Sequence, residues 1–158
     1  MPVAFSDGLV RIGTHDRVVV GVWRAPFSRE RLGALRTITS DLVARHGTTV
    51  GLLGVFESES IELSALTDDT LRREAAAMQA DFAGKVLGGQ SIVLEGNGFA
   101  VSALRSAALA LQMLSRVREK PMFHPDLRAG IDWLGERMGL PGRTKAEIAA
   151  FVAELRAG

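Results

Sequence analysis

The chain has 158 residues, no cysteine and a formal net charge of +1, from 19 Lys and Arg against 18 Asp and Glu. That length fits one domain, and the lack of thiols excludes a disulfide framework, thiolate metal sites and a cysteine nucleophile. Acids and bases are mixed with no dense basic run, which argues against a nucleic-acid partner; no apolar run nears the roughly 18 residues of a membrane span and no signal-peptide pattern opens the chain, so no membrane insertion and a cytoplasmic location are expected.

Residues 9–15 read as a strand, with Asp16-Arg17 as a polar turn into a second strand over 17–25, rich in β-branched residues. Ser28 is a good N-cap for a helix whose Leu32, Leu35, Ile38, Leu42 and Val43 recur at helical spacing, and Gly47 suits its end. Residues 48–56 form an apolar run without alternation, the pattern of a central strand covered on both faces. After a polar loop, Thr67-Asp68-Asp69 starts a second helix with Leu71, Ala75, Met78 and Phe82 on its buried stripe. A strand at 91–95, a Gly96-Asn97-Gly98 turn and a third helix over about 99–118 follow. Pro121-Met122-Phe123 is a short last strand, and His124-Pro125-Asp126 opens a fourth helix with His124 as its cap and Leu127, Ile131, Leu134 and Met138 on its stripe. Beyond the break at 139–142, Thr144-Lys145-Ala146-Glu147 reads as a capping box starting a last helix with Ile148, Phe151, Val152 and Leu155 on one face.

Strands alternating with helices imply crossover connections, so the fold class is α/β, with a mixed, mostly parallel sheet of about five strands. The opening hairpin would place one antiparallel strand at an edge. Residues 1–140 form the α/β domain, and 141–158 an appended amphipathic helix that must bury its face against a second copy or the domain's own flank.

This element order, from about Leu9 to Met138, resembles the STAS domain of bacterial anti-sigma-factor antagonists. More narrowly, it resembles the SpoIIAA-like, or STAS/SEC14-like, group of small bacterial proteins. The local likeness rests on Val93-Leu94-Glu95-Gly96-Asn97-Gly98-Phe99 running into an Ala-rich helix, then the Met122-Phe123 strand and a helix carrying Ala129, Ile131, Trp133 and Leu134. The resemblance implies a non-enzymatic signalling module that docks on a regulatory protein partner. Its anti-sigma branch carries a phosphorylatable serine in an Asp-Ser-Ser-Gly-like run after the central strand. Here that place reads Phe56-Glu57-Ser58-Glu59-Ser60. The run is missing, and a phosphate on Ser58, between two glutamates, is unfavourable without a basic counterpart.

Three scattered histidines at positions 15, 46 and 124 lack metal-ligand spacing, and no nucleophile motif is present, so no cofactor and no metal are expected. His15-Asp16 reads as a solvated turn. Glu57, Ser58 and Glu59 lie past the carboxyl end of the central strand, and Asn97 and Gly98 past that of its parallel neighbour. Ligands of open α/β sheets favour that edge, so these five residues mark a candidate ligand or switch edge beside the plainer reading of a tight turn and a solvated acidic loop. In the third helix, Leu109, Met113 and Val117 project away from the main stripe of Val101, Leu104, Ala108 and Leu111, with Arg105 and Arg116 between the two. A helix apolar on two sides is covered twice, by a neighbouring helix, a partner protein or a second copy. Trp133 lies off its own helix's stripe, to pack under the last helix or anchor a partner. A protein-interaction module is therefore the leading reading. A small-ligand or lipid carrier of SEC14-like type, with a pocket near the strand carboxyl ends, is the alternative, and an enzyme using Glu57 or Glu59 as acid or base is the third.

Overall fold

A computed structural model describes residues 3–25, 27–47, 49–57, 68–95, 102–103, 105–106 and 121–158. The elements in chain order are β1 (Val3–Ser6), β2 (Val10–His15), β3 (Val18–Trp23), α1 (Arg29–His46), β4 (Gly51–Glu57), α2 (Asp69–Ala83), β5 (Gly89–Glu95), β6 (Met122–His124), α3 (Leu127–Met138) and α4 (Gly142–Ala157). The fold is α/β. The strands form one sheet in the order β1-β2-β3-β4-β5-β6, so spatial order follows chain order. β1–β2 and β2–β3 are antiparallel, and β3–β4, β4–β5 and β5–β6 are parallel.

The central strands are apolar on both sides because both sides are covered. Val19 and Trp23 of β3 and Leu52 of β4 pack with Leu32, Leu35 and Leu42 of α1 and Met78 and Phe82 of α2. The intervening residues Val18, Val20, Val22, Leu53, Val55 and Val93 pack with Ile131 and Leu134 of α3 and Ile148, Phe151, Val152 and Leu155 of α4. The period-2 alternation of side chains along a strand separates the two cores. Gly130 lets α3 approach β5 closely: a Cβ there would lie 2.6 Å from Val93 Cγ2. The buried Ser91 hydroxyl donates to the Gly130 carbonyl at 3.0 Å across that contact.

Several elements differ from the sequence reading. The sheet has six strands: residues 3–6 add β1 beyond the hairpin, so β1, not the hairpin's first strand, is the antiparallel edge. Leu9 precedes β2 and is 51% exposed. His124 ends β6, and the cap of α3 is Asp126, whose carboxylate accepts from the Ala129 N–H at 2.8 Å. α4 starts at Gly142 after Pro141, with no side-chain cap. The capping box does not form because Glu147 is engaged by Arg143 and by His15, far off in sequence. His15 is accordingly no solvated turn residue: its side chain is 14% exposed, and its Nε2 lies 3.0 Å from Glu147 Oε2. The expected third helix lies mostly outside the described residues.

Candidate functional site

The parallel strands place their carboxyl ends side by side. Trp23, Phe56 and Leu94 are in register, and one residue further Glu57 faces Glu95. Two like charges on adjacent strands repel, and two arginines resolve the conflict. Arg24, the residue after β3, places Nε 3.1 Å from Glu57 Oε2. Arg156, in the last turn of α4, places Nε 3.6 Å from Glu57 Oε1 and an Nη 2.7 Å from Glu95 Oε1. The Arg156 contacts are charge pairs rather than aligned hydrogen bonds. Arg24 also donates to the main-chain carbonyl of Arg156, which places a cation at the negative end of the α4 dipole. Both oxygens of Glu57 thus face a guanidinium. Of the other residues proposed for this edge, Ser58, Glu59, Asn97 and Gly98 lie outside the described residues. The basic counterpart missing from the local sequence is supplied at Glu57 by Arg24 and Arg156. Nothing near either arginine in the sequence signals that role, since the Arg24–Arg156 contact spans 132 positions.

Next to this charge cluster stands an aromatic one. Trp23 and Phe56 stack with centroids 5.5 Å apart and planes at 12°, and Phe27 meets both edge-on at 5.1 and 5.6 Å. These rings roof a cavity of ≈ 50 Å³ whose walls include Gly21, Gly54, Leu35, Met78, Gln79 and Ile92. The cavity lies on the α1–α2 side of the sheet.

The second region is the β6 edge. Trp133 packs against the core cluster to which α3 and α4 both contribute. Its ring is half-buried, 5.6 Å from the His124 ring, with the Arg137 guanidinium 5.6 Å over its other neighbourhood. It rests against the start of β5, where Gly89 takes φ +105 and a Cβ would lie 3.0 Å from Trp133 Cη2. Met122, in the adjacent edge strand, is 47% exposed. Arg105 is helical and half-buried, with its Nε buried and unpaired among the described residues. Leu109, Met113, Arg116 and Val117 lie outside the described residues. Among the described residues no group of His, Asp and Glu is arranged to hold a metal ion, and no helix is long and apolar enough to cross a membrane.

Asp7, Asp81, His124 and Glu147 all hold their pKa values below the ordinary ones, and two of them, His124 and Glu147, bound the pH range over which acid weakens the fold. Burial lowers the His124 pKa from its ordinary 6.5, opposed by the charge of Asp126. Hydrogen bonds from His15 and then Arg143 lower the Glu147 pKa from its ordinary 4.5. Both folded-state values are depressed, so the unfolded chain takes up these protons first as pH falls. The His124 contribution is whole above pH 6.5 and is lost as pH falls through its folded value, and that of Glu147 is lost in the same way below 4.5. Melting temperature measured against pH is therefore expected to decline from about 6.5 downward, and His124→Gln to flatten the upper part of that decline while leaving the lower part. An unchanged upper limb in the variant would assign it to other groups.

No protein-family model, no curated protein and no solved structure matches the chain.

Proposed function

We propose that this protein is a non-enzymatic interaction module of the STAS type, acting in the cytoplasm by docking on a regulatory protein partner. The observation that carries the proposal is the state of the strand carboxyl edge. Where an α/β enzyme of this layout would place its acid or base, Glu57 and Glu95 are engaged by Arg24 and Arg156. With one guanidinium at each of its oxygens, Glu57 presents no unengaged carboxylate oxygen to a substrate, which disfavours the acid–base reading there. The sequential strand order, with a helix between β3 and β4 and another between β4 and β5, is further support for the STAS resemblance.

The docking surface is assigned to the third-helix residues Leu109, Met113, Val117, Arg105 and Arg116, together with Trp133. Trp133 stands beside the His124 ring and the Arg137 cation, and the edge strand that carries His124 also carries the exposed Met122; Trp, Arg and Met are residue types favoured at interfaces. The carrier reading gains no lipid-sized site from the cavity under Trp23, which has room for only roughly three to five water-sized groups.

The test is a crosslinked pull-down from native cells, quantified for the wild type and for variants carrying Leu109→Asp with Met113→Asp, or Trp133→Ala. Enrichment of one regulatory protein, falling about thirtyfold in variants whose melting is otherwise intact, is the expected result. Recovery of the same proteins in the same amounts from every variant overturns the assigned surface. Recovery of the chain alone overturns the partner and turns attention to self-association.

A further inference from the structure

The cavity under the aromatic stack has a chemical character of its own. Gly21 and Gly54 are partners in register on adjacent parallel strands. Their neighbours on the same face of each strand, Val19 and Trp23 on β3 and Leu52 and Phe56 on β4, all carry bulky side chains, so the two glycines open a hollow in an otherwise filled face. Glycine inside a strand costs stability and often marks a place where another group approaches closely. Part of the space is taken by the rings above. A Cβ on Gly21 would lie 2.8 Å from Trp23 Nε1 and 3.6 Å from its Cδ1. A Cβ on Gly54 would lie 3.2 Å from Phe56 Cε2 and 3.3 Å from Ile92 Cδ1. The rings leave ≈ 50 Å³ unfilled.

Those distances say how the rings are turned. Both point an edge, not a face, at the glycine floor. The edge of an aromatic ring carries the positive part of its quadrupole, and at Trp23 that edge includes the indole N–H. Trp23 is 2% exposed, and its Nε1 stands at the glycine floor, 2.8 Å from the place of a Gly21 Cβ. The ring faces are already used in the Trp23–Phe56 stack, and no carboxylate lines the hollow. Hence the site is not a cage for a cation, which would need open ring faces. It is an apolar hollow whose polar side chains are the Trp23 indole and the Gln79 amide, the latter accepting from Gln90 through its Oε1.

We propose that this hollow binds a small neutral molecule, or the end group of a larger one, that is apolar except for one hydrogen-bond acceptor received by the Trp23 indole N–H. The size is set by the cavity at roughly three to five heavy atoms. A small ketone or secondary alcohol meets both conditions. This site is separate from the docking surface proposed above, and either can fail without the other.

The full-length chain, labelled with ¹⁵N, gives two indole N–H signals, from Trp23 and Trp133, distinguished through Trp133→Phe. Acetone and 2-propanol are the probes, with xenon as an apolar probe lacking an acceptor and tetramethylammonium as a cation. The Trp23 signal is expected to move saturably with acetone and 2-propanol, while that of Trp133 drifts only with bulk solvent. Trp23→Phe keeps a ring and removes the donor. By ligand-observed NMR it is expected to weaken acetone about threefold to tenfold and to leave xenon binding in place. A Trp23 signal that never saturates overturns the proposal, as does a larger response to tetramethylammonium than to the neutral probes. So does equal acetone affinity in a folded Trp23→Phe variant. Gly54→Ala, which sets a methyl in the hollow, supplies a second variant and is expected to abolish the saturable shift; a folded Gly54→Ala that still shows it overturns the location.

Discussion

Ending the chain after Leu140 is expected to abolish cooperative unfolding. The truncation removes Ile148, Phe151, Val152 and Leu155, each 1% exposed or less. Burial of four such side chains contributes about 6–12 kcal/mol, comparable to the about 5–15 kcal/mol that holds a whole domain together. It also uncovers valines of the sheet such as Val18, Val20 and Val22 and removes the Glu147 partner of His15 and the Arg156 carbonyl that Arg24 donates to. Urea unfolding followed by circular dichroism checks this. A sharp transition with a normal slope in the 1–140 fragment would mean that α4 is an appendage rather than part of the core.

Gly88→Ala is expected to destabilise strongly although it adds one methyl group. Its Cβ would lie 2.6 Å from the Val50 carbonyl oxygen, 2.8 Å from the Val50 carbonyl carbon and 3.0 Å from the Gly51 nitrogen. All three are main-chain atoms of the segment leading into β4, so relief requires moving the strand. The Gly88 N–H also donates to that same carbonyl at 2.9 Å and would be displaced with it. A loss of about 1–3 kcal/mol or somewhat more is expected. Gly84→Ala is the matched control. Gly84 ends α2 in a helical conformation with nothing within 4 Å of a Cβ, so alanine there is expected to be neutral or to add about 0.4–1 kcal/mol. Equal melting temperatures for the two variants would contradict the contact geometry at Gly88.

The contrast between these glycines shows where sequence reading stops. The helical stripes of α1, α2 and α3 were legible because their apolar residues repeat at one period and meet one sheet face each. β3 and β4 were legible because runs such as Val18-Val19-Val20 have no polar face to present to water. β1 was not: Val-Ala-Phe-Ser is short, and mostly exposed in the fold, so no burial pattern is imprinted on it. The start of α4 was misplaced because a Thr-x-x-Glu pattern describes a local cap, and Glu147 instead serves a contact across the molecule. At the candidate edge, Glu57 was legible from its place after an apolar strand. Its arginine partners were not, since ion pairs between distant segments have no period and no spacing. The pairing of Gly21 with Gly54 was hidden for the same reason, because it needs the register of two strands.

Because every strand pairs with its neighbour in sequence, the sheet can assemble in the order in which the ribosome delivers it, each new strand finding a finished edge. The side covered by α1 and α2 is closed early on this route. The opposite side stays bare over β2 and β3 until the segment of α4 emerges, for α3 covers β4 and β5 while it is α4 that reaches back to β2 and β3. A nascent chain would thus carry an open valine-rich surface through most of its synthesis, and that interval is when chaperones would engage it and when slow translation would do it most harm.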